Sequence, residues 1–377
     1  MEEATSNSTK QEQGTIKQRL THIDTLRGIA VLLMVMVHAA ATWSPNDVSE
    51  TSILGYIVAG LGGLAAPLFV TLAGWGLAKS SLTSRKIIVR STFFFIAQYL
   101  TNLFAGHLFE PFTPGVLSLF ALLTLTAPIW LFVIRRPSIT GAIVALLLIP
   151  VLPFAPFTST PLAGVSEWLA RVQTPNIPIF LDHLFFDGLY PFFPWVAFAM
   201  LGAMIASYGS KQMIAEVAHL GQRQSKLSLK MRLVLGSIVL SSLVTLSTML
   251  YSAFTGRTWA APTDSTGEAL LTFFPANPLF MIAAFTGVML IWALTIKWLN
   301  TRILIPLGRR SLTIYLLHFL PLGLFHTVDE QANWGFTESF AVVIGFTLLW
   351  IPLAKLANRL FPNTSLEYLL MTLEKTG

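Results

Sequence analysis

The chain has 377 residues, 54% of them hydrophobic and 11% charged, with a mean hydropathy of +0.67 and a formal charge of +6. This composition excludes a soluble globular domain, and the absence of cysteine excludes a disulfide framework and thiolate chemistry. The basic residues stand in short clusters between apolar runs, which fits membrane topology and argues against nucleic-acid binding.

Continuous apolar runs without dyad alternation point to helices and exclude a membrane β-barrel. The fold class expected is an all-α integral membrane protein. Stretches of about 20 apolar residues, the length that crosses the hydrocarbon core, occur near 24–43, 53–78, 87–105, 113–134, 139–157, 185–208, 232–253, 276–298, 308–327 and 335–354. This gives about ten spans in one bundle, multi-pass in the cell (inner or plasma) membrane. If the first span runs outward, all of the 24 basic residues except Arg27, Arg171 and Arg257 lie on the cytoplasmic side, as the positive-inside rule requires. Both termini are then cytoplasmic. Residues 1–20 read as a disordered polar tail, 21–356 as the membrane domain and 357–377 as a C-terminal cytoplasmic tail.

The first span, HIDTLRGIAVLLMVMVHAAATW, contains Asp24, Arg27 and His38. Ala39-Ala40-Ala41 could pass for a signal-peptide cleavage site, but the charged, long apolar region favours a retained span. Arg27 and His38 are 11 residues apart, so on a helix they lie within about 20° of one face and about 16 Å apart along the axis. Asp24, three residues before Arg27, is placed to pair with it and reduce the cost of a guanidinium at membrane depth. Arg27 at the inner end and His38 deeper on the same stripe suit an elongated anionic ligand that enters from inside. The arginine would contact phosphate, and the imidazole can accept a proton near neutral pH. Inner-end capping and a packed polar histidine explain the same residues without function.

Span two carries many glycines, more suited to close helix packing than to phosphate binding. Span three opens SRKIIVRSTFF, with Arg85, Lys86 and Arg90 at the same inner level; the positive-inside rule accounts for them equally. The sixth span opens LDHLFFDGLYPFFPW. It gathers Asp182, His183, Asp187, Tyr190 and Trp195 at the outer interface, a set suited to hydroxyl-rich or amino-bearing acceptors, or else to an aromatic belt with solvated acids. The segment KQMIAEVAHLGQRQSKLSLK reads as an interfacial helix. Span nine opens LGRRSLTIYLLHF, placing Arg309 and Arg310 at the inner edge and His318 midway, on a shared face with Ser311; His318 reads as a buried hydrogen-bonding side chain. No compact metal-ligand spacing, P-loop or nucleophile elbow occurs in the sequence.

The stretches RLTHIDTLRGIAVLLMVMVHA, AAPLFVTLAGWGLA, YPFFPWVAFAMLG and LGRRSLTIYLLHF resemble the transmembrane acyltransferase superfamily. They look closest to bacterial relatives of heparan-alpha-glucosaminide N-acetyltransferase, and the first and ninth spans also resemble the acyltransferase-3 branch. The resemblance spans residues 19–320. It implies an enzyme that takes an acyl group, acetyl in the first instance, from cytoplasmic acetyl-CoA or another acyl-CoA to a hydroxyl or amine of a sugar or glycan on the far side. No metal and no nucleic acid are expected; a homodimer is left open.

By position His38 matches the first-span histidine of the acyltransferase-3 branch, and Arg85 to Arg90 fall near its basic third-span motif. The expected roles are His38 as general base and Arg27, Arg85, Lys86, Arg90, Arg309 and Arg310 as CoA-binding residues. Asp24 and His318 give structural support, and Asp182, His183, Asp187 and Trp195 bind the acceptor. One departure from the lysosomal enzyme stands out: loop 44–52 has no histidine, where that enzyme places its active one. A multi-span transporter of a small anionic or sugar-like solute is the alternative, against which stands the lack of an internal repeat.

Overall fold

The computed structural model describes residues 20–43, 57, 60–135, 168–208, 229–261, 263, 269–299 and 301–375. The helices are α1 (Thr21–Thr42), α2 (Ala65–Lys79), α3 (Ser84–Phe104), α4 (Val116–Leu125), α5 (Ala127–Arg135), α6 (Trp168–Val172), α7 (Ile177–Asp182), α8 (Phe192–Tyr208) and α9 (Leu229–Thr255). They continue as α10 (Pro278–Lys297), α11 (Ile305–Arg309), α12 (Ser311–Leu317), α13 (Phe319–Leu324), α14 (Val328–Gln331), α15 (Phe336–Leu360) and α16 (Leu366–Lys375). The only strands among the described residues are β1 (Ala260–Ala261) and β2 (Leu271–Thr272), a short parallel pair.

Among the described residues seven helical runs are long and apolar enough to cross a membrane, or eight if a bent pair, 177–187 with 192–207, is counted as one span. The protein is an all-α membrane protein. Of the ten expected spans, the fifth (139–157) lies outside the described residues, as does the expected interfacial helix at 211–230 apart from its last two residues, which begin α9. The fourth is not one helix: α4 ends at Leu125 and α5 begins at Ala127, because Pro128 has no N–H to continue the ladder.

The same chemistry breaks the sixth. Phe193, which precedes Pro194, has ψ 120 and is not helical, the conformation a following proline imposes. The span is also bent by 46° across residues 188–191, after a π-helical turn, His183–Asp187. Elsewhere side chains set the starts: Thr83 accepts from Lys86 N at 3.3 Å, and Asn277 accepts from Phe280 N at 2.8 Å ahead of Pro278.

Helices α2 and α8 form the centre. A Cβ added to Gly74 would collide with the Ala199 backbone, and one on Gly202 with the Thr71 carbonyl, so the glycines are what lets these backbones touch. Against this pair pack α1, α4 and α10, and the buried aromatics Trp195, Phe198 and Phe280 fill the interior. α9 exposes Leu240, Leu243 and Phe254, as a helix bathed in lipid does.

The bundle has a basic end and one poor in basic residues, where the acids Glu110, Asp182, Asp187, Asp329, Glu330 and Glu338 lie. Asp24 near the start of α1 lies 3.8 Å from Arg309 at the end of α11. At the opposite end the Trp43 indole donates to Phe325 O at 2.9 Å. Among the described basic residues, Arg171 and Arg257 alone belong to that second end.

Candidate active site

A cavity of about 1320 Å³ runs through the bundle. Its walls are largely apolar, with Phe69, Phe94, Phe120 and Phe280 among them. Arg27 and His38, on one stripe of α1, both line it, so the helical geometry read from their spacing is realised. Arg90 from α3 and Ser311 from α12 line it at the basic end; Tyr190 and Tyr315 line it deeper in.

His38 does not stand alone. Its Nδ1 is 2.8 Å from Nε2 of His318, and Nδ1 of His318 is 3.1 Å from Ile314 O one turn back. The rings stack at 5.0 Å between centroids, and Phe319 packs on both, at 4.7 Å from His38 and 4.2 Å from His318.

The tautomers follow by elimination. A carbonyl only accepts, so His318 must donate from Nδ1; in the neutral ring its Nε2 is then an acceptor, and His38 must donate to it from Nδ1. The proton-free nitrogen of His38 is therefore Nε2. His318 is fully buried and does not line the cavity, so it acts on the cavity only through His38.

The family model for the acyltransferase domain matches residues 20–355. The chain belongs to the acyltransferase-3 family. No curated protein matches it. A membrane acyltransferase is thus the coarse identity, and the finer likeness to heparan-alpha-glucosaminide N-acetyltransferase rests on the sequence motifs alone.

Of the six cations expected to hold the donor, this acyltransferase brings two, Arg27 and Arg90, to the cavity. Lys86 turns back to Ser81, bonding its O at 3.3 Å and Oγ at 3.2 Å. Arg85 donates to Leu373 O at 3.3 Å, and the half-exposed Arg309 faces Asp24. Arg310 is the clearest correction. It is buried, and its guanidinium donates to Asn358 Oδ1 at 3.0 Å, to Ala357 O at 2.9 Å and to Phe361 O. Ala357 O and Phe361 O lie at the C-terminal end of α15, where Ala357 O also accepts from Phe361 N, and a cation there suits the helix dipole; the Arg310 guanidinium is committed to clamping that end.

The expected acceptor residues lie outside the cavity lining. Asp187, His183 and Trp195 are buried and absent from the cavity lining, and Asp182 is half-buried and absent too. Asp187 Oδ1 instead accepts from Arg171 Nη1 at 3.1 Å, both side chains being buried. Burial lowers the Arg171 pKa from its ordinary value, and the Asp187 charge and hydrogen bond oppose that. In the sequence Arg171 stands out only as a basic residue off the cytoplasmic side; its partner is 16 residues away around the broken span. Trp195 packs beneath Tyr190 at 5.1 Å between centroids, and Tyr190 faces the cavity. Three residues at the site had only faint signals: Tyr315, one helical turn before His318, and Glu367 and Glu374 in the amphipathic stretch LEYLLMTLEK.

Proposed function

We propose that this acyltransferase carries an acyl group, acetyl in the first instance, from cytoplasmic acyl-CoA to a hydroxyl or amine of an extracytoplasmic sugar or glycan. The observation that carries the reading is one cavity lined both by Arg27, at the basic end, and by His38. The basic end is the cytoplasmic one by the positive-inside rule. Arg27 and Arg90 take the donor's phosphates, and the offset of about 16 Å between Arg27 and His38 gives the pantetheine arm its path along an apolar wall.

At His38, Nε2 accepts the proton of the acceptor O–H or N–H as the oxygen or nitrogen attacks the thioester carbonyl. The tetrahedral intermediate expels the thiolate, the C–S bond breaks, and the imidazolium returns the proton to sulfur, giving CoA-SH and the acylated acceptor. Holding donor and acceptor in one seam supplies proximity. Tyr190 and Tyr315, in the deeper wall, are placed to bind a hydroxyl-bearing acceptor.

The test is transfer from labelled acetyl-CoA by purified protein to a panel of sugars and envelope glycans. His38→Ala should lose transfer yet keep CoA binding, while Arg27→Ala should lose binding. Full transfer by His38→Ala would sink the assignment.

A further inference from the structure

The helix α16 lies beyond the matched acyltransferase domain, which ends at residue 355, yet two of its residues, Glu367 and Leu370, line the cavity. It is held there by three sets of bonds. Near its start, Glu367 accepts from Leu312 N at 2.6 Å and from Thr313 Oγ1 at 2.7 Å, while Leu366 N donates to Thr313 Oγ1 at 2.9 Å. Near its end, Arg85 donates to Leu373 O. In the last turn, Glu374 takes both arms of Arg90, Nε to Oε1 at 2.8 Å and Nη2 to Oε2 at 3.1 Å.

That last pair has a consequence for the cavity mouth. A fork-to-fork bond to a carboxylate uses the same two donors that a phosphate would use. Arg90 lines the cavity, so while Glu374 holds it, the guanidinium is closed to an anionic ligand, and Glu367 and Leu370 of α16 form part of the wall at that end. The two ends of the helix are unequally fixed. The Glu367 end is tied to α12 by backbone and side-chain bonds, whereas the Glu374 end rests on the Arg85 bond to Leu373 O and a partly exposed ion pair, 19% and 13% accessible on the two sides, the kind of bonds that an incoming charge can exchange.

We infer that α16 is a lid on the basic mouth of the cavity, latched by Glu374 on Arg90, and that an anionic acyl donor enters by displacing this carboxylate. The helix swings about its fixed end near Ser365, and the donor's phosphate replaces Glu374 on the same guanidinium. The device makes the resting enzyme self-occluded and links opening to the arrival of donor. This rests on the reading above that the donor enters at the basic end.

The chain has no cysteine, so a thiol placed at Ser80, which lines the cavity at that end, reports access. In detergent, Ser80→Cys should react with a charged maleimide several-fold faster when combined with Glu374→Gln, and faster also in wild-type background on adding acetyl-CoA. Equal rates with and without Glu374→Gln would overturn the lid whatever the donor is. Glu374→Gln alone should bind acetyl-CoA roughly twofold to fivefold more tightly, the worth of one partly exposed ion pair. Weaker or unchanged binding would show the pair to be a strut. If neither protein binds acetyl-CoA but labelling accelerates, the lid stands and the donor assignment falls. Matching elution and thermal unfolding of the variants show that each is folded.

Discussion

Replacing His318 by phenylalanine tests whether the two histidines act as a unit. Phenylalanine keeps a flat ring against Phe319 but removes the acceptor 2.8 Å from His38 Nδ1. The loss of one neutral hydrogen bond is worth about 0.5–1.5 kcal/mol, and leaving the buried N–H unpaired raises the penalty to as much as about 3 kcal/mol. The His38 ring escapes that penalty by turning or by moving its proton to Nε2, and either change takes the base away from the acceptor. The expected fall in kcat is therefore about tenfold to a hundredfold, within what general base catalysis contributes. The KM for donor should not move, because His318 does not line the cavity. His318→Gln retains a carbonyl acceptor and should recover part of the loss. Steady-state transfer by purified protein with acetyl-CoA as donor gives both constants. If His318→Phe keeps full kcat while His38→Ala abolishes it, His318 does not position the base and the tautomer argument fails.

Gly202→Ala puts a methyl into the Thr71 carbonyl, and the overpacking should cost about 1–3 kcal/mol, read as a lower midpoint in thermal unfolding; an unchanged midpoint would mean that α2 and α8 part easily. Arg310→Ala strips the bonds from Ala357 O and Asn358, so it should destabilise by about 2–4 kcal/mol without a direct change in donor affinity; a selective rise in donor KM in a fully stable variant would restore it as a ligand residue. His107, in the turn after α3, has its pKa lowered from 6.5 by burial first and then by the His326 ring stacked at 5.1 Å. A base held neutral by the fold binds fewer protons folded than unfolded, so stability should be complete above about pH 6.5 and fall as pH drops below it. His107→Asn should flatten that acid limb of the unfolding curve; an identical slope in the variant would refute the assignment.

What the sequence reveals is what local rules decide. The apolar run lengths and the basic clusters mark membrane helices and an inner end, and the 11-residue spacing alone puts Arg27 and His38 on one stripe. Pro128 and Pro194 are visible as well, but treating each 20-residue apolar run as one helix hides the breaks that they make in spans four and six. Partners from distant helices are not visible in this way. Nothing near Arg310 says that its guanidinium closes the end of α15, 48 residues on, and the acids of the sixth span look solvated until Arg171 folds back onto Asp187. His38 and His318 are separated by 280 residues; read singly, each is more economically a packed polar side chain, and only their meeting gives either of them a defined proton.

The form of that pair suits its depth. A carboxylate behind His38 would fix the tautomer too, but it would bring a permanent charge into a site walled by phenylalanine, where an ion left without a full set of partners is costly. The chain from His38 to His318 to Ile314 O fixes the same tautomer with neutral groups and ends on a backbone carbonyl that the helix already supplies. On the proposed mechanism the imidazolium at His38 exists only between attack and expulsion of the leaving group, when the developing charge on the tetrahedral oxygen stands beside it. The balance predicts a direction: putting a carboxylate at the second position, His318→Asp, would stabilise the imidazolium but carry its own buried charge through every resting state. The variant should be less stable than His318→Gln even if its base is stronger, which separates proton control from folding cost in a single pair of unfolding and transfer measurements.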